Sequence, residues 1–379
     1  MSYPCRTAFV ALAVLAAACE PAPTASRGGQ VIWKLAGKGW AVGPSYDSST
    51  VYFGGFDHEV VAVDRQTGAL RWRAATGVPG VATNGRNTVV AGDIVAMGDI
   101  DIYAFDRATG ALRWTFVASD LDETGDNFLV TDGQTIYASS FYGRVYAIDA
   151  ATGQLRWVTP LVADSTKPST FRPTLYDGVV YVGLKRFARV PQTGALAALD
   201  AATGRVLWQH EFLPESPGQY SGCFGGAAVV GGSVFVAAED GRVYALDRQT
   251  GDVRWIAPRI HQLPPEGPYN DDRPLTATST MVVVGSSSST LVGLDAATGV
   301  EVWRTALNEG SISPMIVNDG QDAFVVVGRF FAVDARTGNI RWATAPLRYG
   351  DGIPYWPTPA LAGDQLYVSG ETGFYALRK

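Results

Sequence analysis

The sequence VYALDRQTGDVRW at Val243–Trp255 predicts a strand, a tight turn and a second strand. The run before Asp247 is short and apolar, which favours a buried strand. From Asp247 to Gly251 the chain has the polar and glycine composition of a turn. After Gly251 the apolar residues alternate up to Trp255, as they do in a half-buried strand. The stretch therefore predicts an antiparallel hairpin.

The same unit occurs six more times, and all seven copies share the pattern Asp-x-x-Thr-Gly-x-x-x-Trp. Their tryptophans are 42, 43, 51, 47, 48 and 39 residues apart. This spacing fits four short strands per repeat and is typical of a β-propeller. The six further copies are Val60–Trp72, Ile102–Trp114, Val145–Trp157, Leu196–Trp208, Leu291–Trp303 and Phe330–Trp342.

The two ends of the repeat region complement each other. Val31–Leu35 predicts a lone outer strand with Trp33 at the repeat position, whereas Pro359–Lys379 predicts three strands and stops before any Thr-Gly-x-x-x-Trp. Pairing the two ends makes an eighth blade and removes the exposed strand edges of an open ring. The sequence thus predicts one all-β domain over residues 31–379. This domain is an eight-bladed β-propeller of four-stranded blades, and N- and C-terminal strands close the last blade.

The repeated residues are expected to have structural roles. Glycine supplies the positive φ that a tight turn needs, and aspartate at the start of the turn can accept backbone N–H bonds. Tryptophan can bury a large ring between neighbouring blades while its indole N–H finds a carbonyl. The tryptophans at this position are Trp33, Trp72, Trp114, Trp157, Trp208, Trp255, Trp303 and Trp342.

The N-terminal segment has the composition of a processing signal. Arg6 precedes a mostly apolar run over residues 7–18, which is too short to span a bilayer. We therefore expect a signal peptide over residues 1–18. The sequence LAAAC, which ends at Cys19, resembles a bacterial lipobox, although its leucine is four rather than three residues before the cysteine.

The resemblance to a lipobox implies a lipid on Cys19, followed by a flexible tether over residues 19–30. By resemblance to known lipoproteins, Glu20 after the cysteine is compatible with sorting to the bacterial outer membrane. The alternative is ordinary cleavage after the alanines, which would leave a soluble periplasmic or secreted protein.

Composition argues against several other classes of protein. The net charge is −6 over 379 residues and no basic run occurs, so nucleic acid is not expected as a partner. Only Cys5, Cys19 and Cys223 are present, so a disulfide framework is not expected, and Cys223 is expected to be a small buried residue. The three histidines are far apart and lack metal-ligand spacing.

Aligning the repeats places eight residues at the entrances of the inner strands, which line the central channel of a propeller. Two of them are glycines, Gly43 and Gly226. We hypothesise that the other six contact an anionic or carbonyl-rich ligand at the channel mouth, chiefly through two arginines suited to carboxylates. The alternative is that they bind waters and blade backbone. The six are Asn87, Asn127, Arg172, Arg273, Ser313 and Thr358.

Two tryptophans lie outside the repeat positions, just before the inner strands of the first and last blades. With a neighbouring tyrosine they suggest an aromatic patch for a partner protein, formed by Trp40, Tyr355 and Trp356. The alternative is that they pack beneath the blade closure.

The pattern Tyr-Ala-Leu-Asp-x-x-Thr-Gly-x-x-x-Trp resembles the pyrroloquinoline-quinone (PQQ)-like propeller repeat over nearly all of the chain after the signal peptide. The resemblance implies one of two functions. One is that of the quinone-dependent dehydrogenases, which typically carry adjacent cysteines and a Ca²⁺ site. The other is that of the lipoprotein of the outer-membrane β-barrel assembly machinery (BamB-like), a non-enzymatic scaffold.

No two cysteines are neighbours here, and the one acidic run, 269–273, is expected to be a solvated turn. Neither PQQ nor Ca²⁺ is therefore expected as a cofactor. We expect a monomeric, non-enzymatic periplasmic scaffold on an outer-membrane lipid anchor that binds other proteins, with edge-strand addition as one route. Two alternatives stay open. One is a PQQ- or small-ligand-binding, oxidoreductase-like propeller, and the other is a lineage-specific binding protein with an unknown partner.

Overall fold

All regular structure in the described part of the chain is β-strand. The computed structural model describes residues 28–36, 43–55, 58–77, 87–99, 101–117, 128–140, 142–162, 168–170, 172–186, 193–213, 222–223, 226–260, 274–286, 289–309, 315–345, 358–370 and 373–379. Within these ranges, no helix has the length and apolar character that crossing a membrane requires.

The strands follow one another in chain order from β1 to β33. They are β1 (Val31–Ala36), β2 (Ser45–Tyr46), β3 (Thr50–Gly54), β4 (Glu59–Asp64), β5 (Leu70–Ala75), β6 (Thr88–Ala91), β7 (Ile94–Gly98), β8 (Ile102–Asp106), β9 (Leu112–Phe116), β10 (Leu129–Thr131), β11 (Thr135–Ser139), β12 (Arg144–Asp149), β13 (Leu155–Pro160), β14 (Pro168–Thr170), β15 (Thr174–Tyr176), β16 (Val179–Arg186), β17 (Thr193–Asp200), β18 (Val206–Phe212), β19 (Ala228–Val230), β20 (Ser233–Ala237), β21 (Val243–Asp247), β22 (Val253–Ile256), β23 (Leu275–Ala277), β24 (Met281–Gly285), β25 (Thr290–Asp295), β26 (Glu301–Ala306), β27 (Val317–Asn318), β28 (Asp322–Val327), β29 (Arg329–Asp334), β30 (Ile340–Ala343), β31 (Ala360–Ala362), β32 (Gln365–Gly370) and β33 (Gly373–Arg378).

These strands form eight antiparallel sheets, one for each blade of a propeller. In order from the channel outward, blade 1 is β2-β3-β4-β5, blade 2 is β6 to β9, blade 3 is β10 to β13, blade 4 is β14 to β18, blade 5 is β19 to β22, blade 6 is β23 to β26, blade 7 is β27 to β30, and blade 8 is β31-β32-β33-β1. The inner strands of neighbouring blades contact one another, for example β2 with β6 and β6 with β10. The predicted eight-bladed propeller and its closure by both ends of the chain are confirmed.

Blade 4 differs from the other blades in its inner position. Two short strands, β14 and β15, both pair with the same partner, β16. This arrangement is possible because β16 is eight residues long, and its edge has room for two three-residue strands.

The hydrophobic core lies between blades. One cluster joins Val89 and Ile102 of blade 2 to Leu129 and Ile148 of blade 3, and a similar cluster between blades 4 and 5 contains the fully buried Cys223. Because neighbours cover both faces of each sheet, the middle strands are apolar throughout rather than alternating.

The repeated turn in blade 5 shows how its residues act. Gly251 has a φ of +77°, and Asp247 Oδ1 accepts the backbone N–H groups of Gln249 at 2.8 Å and Thr250 at 3.1 Å. The other oxygen of Asp247 accepts a 2.6 Å bond from Arg254, whose guanidinium lowers the pKa of Asp247 to about 2. The carboxylate is thus fully ionised at neutral pH and closes the turn.

Each repeat tryptophan joins its blade to the turn of the next blade. The Trp208 ring packs on Gly251 of blade 5, where an added Cβ would lie 2.7 Å from ring atom Cε3, and its indole N–H donates to Arg248 O at 2.9 Å. Equivalent indole bonds, 2.9–3.1 Å long, run from Trp33 to Arg65 O, Trp72 to Arg107 O, Trp114 to Ala150 O, Trp157 to Ala201 O, Trp255 to Ala296 O and Trp303 to Ala335 O.

The junction between blades 8 and 1 has an additional contact. Arg65 of blade 1 donates to the Tyr367 hydroxyl at 3.0 Å and to Ala362 O at 2.8 Å, both in blade 8. A third bond, to Asp47 O at 3.2 Å, holds the guanidinium against its own blade. One arginine thus joins the closing blade to the first blade.

Two equivalent buried tyrosines should respond differently to removal of their hydroxyl groups. Tyr137 donates to Asp132 at 2.9 Å, whereas the Tyr181 hydroxyl has no partner among the described residues. Tyr181→Phe is therefore expected to leave the free energy of unfolding unchanged or raise it by about 1 kcal/mol, and Tyr137→Phe to lower it by about 1–3 kcal/mol. Urea unfolding of both variants measures the difference, and equal losses would contradict the assignment.

Candidate functional site

A cavity of about 620 Å³ lies at the mouth of the central channel, where the inner strands begin. Five positions of the predicted ring belong to the described residues, and all five line this cavity. They are Gly43, Asn87, Arg172, Gly226 and Thr358. The other three, Asn127, Arg273 and Ser313, lie outside the described residues, so their contribution to the mouth stays a prediction.

Asn87 joins two blades. Its amide nitrogen donates to Leu129 O at 2.8 Å, and its amide oxygen accepts the Leu129 N–H at 3.0 Å. Ser45 and Thr88 hydroxyls, 2.8 Å apart, connect blades 1 and 2 in the same way. The two Asn87 bonds are of the kind expected if ring residues bind blade backbone, and they leave Asn87 little capacity for a ligand.

Arg172 crosses the channel mouth. It precedes the inner strand of blade 4, and its Nη1 donates to Thr358 Oγ1 of blade 8 at 3.4 Å. Because blades 4 and 8 are opposite each other in a ring of eight, this bond spans the axis. The guanidinium carbon also lies 4.4 Å from the centre of the Phe128 ring, which is within the range of a cation–π contact.

The other walls of the cavity are largely apolar. Leu129, Leu275 and Ile316 line it, together with the prolines Pro44 and Pro173. Arginine stays charged at any physiological pH and presents its N–H groups in one plane, which matches a carboxylate. The mouth thus combines apolar walls with a fixed positive charge, a combination suited to a carboxylate carried on an apolar body.

Two buried pairs join blades at the same end of the propeller. Lys185 Nζ lies 2.6 Å from Glu239 Oε1, with side chains 3% and 1% exposed, and the second Glu239 oxygen accepts the Gly222 N–H at 2.8 Å. His58 Nδ1 lies 2.6 Å from Asp99 Oδ2. The sequence analysis missed both pairs because their members lie in different repeats and form no motif.

The remaining sequence-predicted sites are not tested by the structure. Cys19, Trp40, Tyr355 and Trp356 lie outside the described residues, so the lipid anchor and the aromatic patch stay predictions. Within the described ranges, no three His, Cys, Asp or Glu side chains gather as metal ligands.

An eight-bladed ring of Asp-x-x-Thr-Gly-x-x-x-Trp repeats, closed by both ends of the chain, defines a β-propeller of the PQQ-like class. Within that class, the chain belongs to the family described as outer membrane protein assembly factor BamB. The family model matches residues 22–255 and 261–378.

Individual relatives fall into both functional branches. The dehydrogenase subunit of the quinone alcohol dehydrogenase of Komagataeibacter europaeus is 28% identical over 191 residues, which are 48% of this chain and 21% of that protein. The assembly factor BamB of Nitrosomonas eutropha is also 28% identical, over 186 residues that are 47% of this chain and 39% of that protein. This chain thus spans about a fifth of the dehydrogenase subunit and two fifths of that BamB.

Solved structures show the fold. BamB from Moraxella catarrhalis matches with a TM-score of 0.55 and 18% identity, over 89% of this chain and 82% of that chain.

Proposed function

We propose that the protein is a non-catalytic scaffold that binds other proteins in the periplasm during outer membrane protein assembly. In this proposal a lipid on Cys19 holds a monomer at the outer membrane. The family match over nearly the whole chain supports the proposal. The observation that carries it is the outer edge of blade 4.

Blade 4 presents the longest outer strand among the eight blades, β18, with seven residues. Its outer edge pairs with no other described strand. Val206 and Leu207 on this strand are 37% and 38% exposed. In five other blades an arginine that pairs with the turn aspartate stands at the position of Leu207. These arginines are Arg71, Arg113, Arg156, Arg254 and Arg341.

This edge suits an extended segment of a partner. The free edge of an outer strand offers its backbone N–H and C=O groups to a strand from another chain, and exposed aliphatic side chains add apolar contact. Where the repeat arginine is present, its charged side chain discourages such pairing. Blade 6 has Val302 at the same position, 55% exposed, but its outer strand β26 has six residues rather than seven. Because it offers the longest backbone edge, the outer edge of blade 4 is our proposed docking edge for a partner protein.

The substitution Leu207→Arg tests this proposal because it restores the repeat residue beside Asp200. We expect the lipidated protein, purified after mild crosslinking, to carry components of the β-barrel assembly machinery, and Leu207→Arg to carry several-fold less while unfolding normally. The conservative variant Arg113→Lys in blade 2 is the control and should recover the same amount as wild type.

The outcomes of this pull-down separate the alternatives. Recovery of no barrel component would overturn the scaffold function. Recovery of one unrelated periplasmic protein, lost in Leu207→Arg, would instead support a lineage-specific binding protein. Undiminished recovery of barrel components with Leu207→Arg would place the docking edge elsewhere on the propeller.

The position of Arg172 favours a second candidate function, the binding of a small carboxylated ligand at the channel mouth. PQQ carries carboxylates, and its fit is partial: Arg172 could pair with one of them against the apolar walls. The described lining offers no cluster of side chains suited to Ca²⁺. When bound, PQQ supplies the redox chemistry of a dehydrogenase, whereas Arg172 would only bind and orient a carboxylate.

Ligand addition tests this second candidate directly. If the mouth binds carboxylated quinones, PQQ should raise the unfolding temperature of the wild-type protein and leave that of Arg172→Gln unchanged. Dye-linked alcohol oxidation with PQQ and Ca²⁺ then distinguishes an enzyme from a binding protein. No shift in the wild type at millimolar PQQ would contradict the candidate.

A further inference from the structure

Arg172 is the only charged side chain among the described residues that line the cavity at the channel mouth. Its guanidinium carries one positive charge at any physiological pH. Aliphatic side chains from blades 2, 3, 4, 6 and 7 form much of the wall around it. The described lining can therefore balance one negative charge and no more. The aliphatic residues include Val90, Leu129, Leu175, Leu275 and Ile316.

The neutral polar side chains of the lining are already engaged within and between blades. The Ser45 hydroxyl lies 2.8 Å from that of Thr88, which donates to Tyr52 O at 3.0 Å. Both ends of the Asn87 amide bond to Leu129. A ligand in the cavity thus meets few side-chain partners other than Arg172. Three further lining hydroxyls donate to backbone carbonyls at 2.7–2.8 Å, namely Tyr46 to Leu361 O, Thr131 to Thr135 O and Thr174 to Ala227 O.

Contacts with two other residues hold Arg172 across the mouth. The buried Thr358 hydroxyl accepts from Nη1 at 3.4 Å, and the centre of the Phe128 ring lies 4.4 Å from the guanidinium carbon. The bond to Thr358 is long for a hydrogen bond, so it directs the side chain without binding it tightly. Because arginine presents several N–H donors in one plane, the guanidinium can keep this bond and still bind a carboxylate.

We propose that the channel mouth binds a monocarboxylate with an apolar body, such as a straight-chain alkanoate. The carboxylate pairs with Arg172, and the body packs against the aliphatic wall. This proposal rests on the second candidate function and narrows its ligands to those with a single carboxylate. Thr358 is a positioning residue in this arrangement, since it acts through Arg172.

The single charge of the ligand follows from the cost of burying an unpaired ion. A second carboxylate would lie against aliphatic side chains with no cation to balance it among the described residues, which is strongly unfavourable. A phosphate monoester carries more than one negative charge at neutral pH, so one arginine would balance it only in part. A quinone with several carboxylates is disfavoured for the same reason.

Calorimetric titration with alkanoates tests the ligand class. A chain over residues 20–379, which contains every described residue, is titrated without lipid or detergent. We expect the affinity to rise about fourfold for each methylene added from hexanoate to octanoate and decanoate, because each buried methylene leaves water. Suberate has the length of octanoate and a second carboxylate, and it should bind at least about tenfold more weakly than octanoate.

Two outcomes of this titration would overturn the proposal. One is the absence of decanoate binding at millimolar concentration. The other is equal affinity for suberate and octanoate, which would mean that the mouth holds a second cation. The predicted ring residue Arg273, which lies outside the described residues, is the candidate for that cation.

Substitutions locate the carboxylate, with uncharged 1-octanol as the matched ligand. Arg172→Gln should lower the affinity for octanoate at least about tenfold and leave that for 1-octanol unchanged. Thr358→Val should lower the octanoate affinity about threefold, again without an effect on 1-octanol, whereas a general loosening of the mouth would weaken both ligands. Arg113→Gln on the outer strand of blade 2 is the control and should bind octanoate as the wild type does. Undiminished octanoate binding by Arg172→Gln would overturn the proposal.

The unfolding temperature with PQQ separates this proposal from the second candidate function. A PQQ shift without octanoate binding would overturn the monocarboxylate and keep the candidate. Octanoate binding without a PQQ shift would support the monocarboxylate and exclude the quinone. Binding of neither ligand would overturn both, and the scaffold function would be unaffected.

Discussion

A chain that begins at residue 37, and so lacks the closing strand β1, is expected to unfold at a much lower denaturant concentration than a chain that begins at Gly28. The loss should be at least about 3–5 kcal/mol, the cost of removing one large buried aromatic side chain. Trp33 on β1 is 7% exposed and belongs to the cluster that joins blades 8 and 1. Its removal also breaks the indole bond to Arg65 O.

Removing β1 also exposes the edge of β33, the strand with which it pairs. β1 pairs with β33 from Val31↔Leu377 to Ala36↔Gly373, so the truncated chain would leave the edge of β33 unpaired. An exposed edge beside a broken core cluster promotes association between molecules. We therefore expect the truncated protein to aggregate on heating, whereas the chain that begins at Gly28 should stay monomeric.

Guanidinium unfolding and light scattering measure these two effects. A peptide of residues 28–36 added in trans is the rescue control, and it should raise the unfolding midpoint of the truncated chain as its concentration increases. Equal midpoints for the two chains would mean that blade 8 is stable with three strands and that β1 is dispensable for closure.

The repeat predicted the fold because its residues contact the neighbouring blade. Gly251 and Trp208 lie in successive copies of one motif, and each copy needs the next one to bury its tryptophan. The closure of the ring could be predicted for the same reason. The N-terminal strand carries Trp33 but has no Asp-x-x-Thr-Gly turn before it, and the last blade has no strand with a repeat tryptophan, so each end supplies what the other lacks. A motif that is repeated along the chain thus predicts contacts between residues that are distant in sequence.

The chemistry of the candidate site was less predictable. The alignment of inner strands predicted Asn87, Arg172 and Thr358 at one ring, and all three line the cavity, but the alignment could not predict which side chains bind other blades. Asn87 is occupied because Leu129 lies opposite its amide, whereas Arg172 is long enough to reach across the axis. Lys185 and Glu239 are 54 residues apart, and only the packing of blades 4 and 5 reveals their pairing.

The outer edge of blade 4 shows a different limit of sequence analysis. Leu207 interrupts a pattern that is arginine in five other blades, and this departure is visible in the sequence. Its meaning depends on exposure, because an aliphatic residue at that position could also have been covered by a neighbouring loop. The structure leaves the side chain 38% exposed on a strand whose outer edge pairs with no other described strand, which makes this position a candidate interface.

Substitution of the turn glycine in blade 5 should have the second large effect. Gly251→Ala is expected to lower the free energy of unfolding by about 2–5 kcal/mol, whereas Gly231→Ala in the same blade should lower it by about 1–2 kcal/mol. Both glycines have positive φ, +77° and +57°. A Cβ at Gly251 would lie 2.7 Å from the Trp208 ring, but a Cβ at Gly231 would have no heavy atom within 4 Å.

The two substitutions should differ in their effect on the free energy of unfolding because of Trp208. Both introduce the same kind of backbone strain, so this strain cancels when the two effects are compared. In a Trp208→Ala background no ring remains to be displaced, so Gly251→Ala should then lower the free energy of unfolding by only about 1–2 kcal/mol, as Gly231→Ala does. Urea unfolding of the four members of this cycle measures the coupling. If Gly251→Ala has the same effect with and without Trp208, backbone strain alone would explain the glycine. The packing of each tryptophan on the next turn would then contribute far less to holding the ring together than the contacts at Gly251 imply.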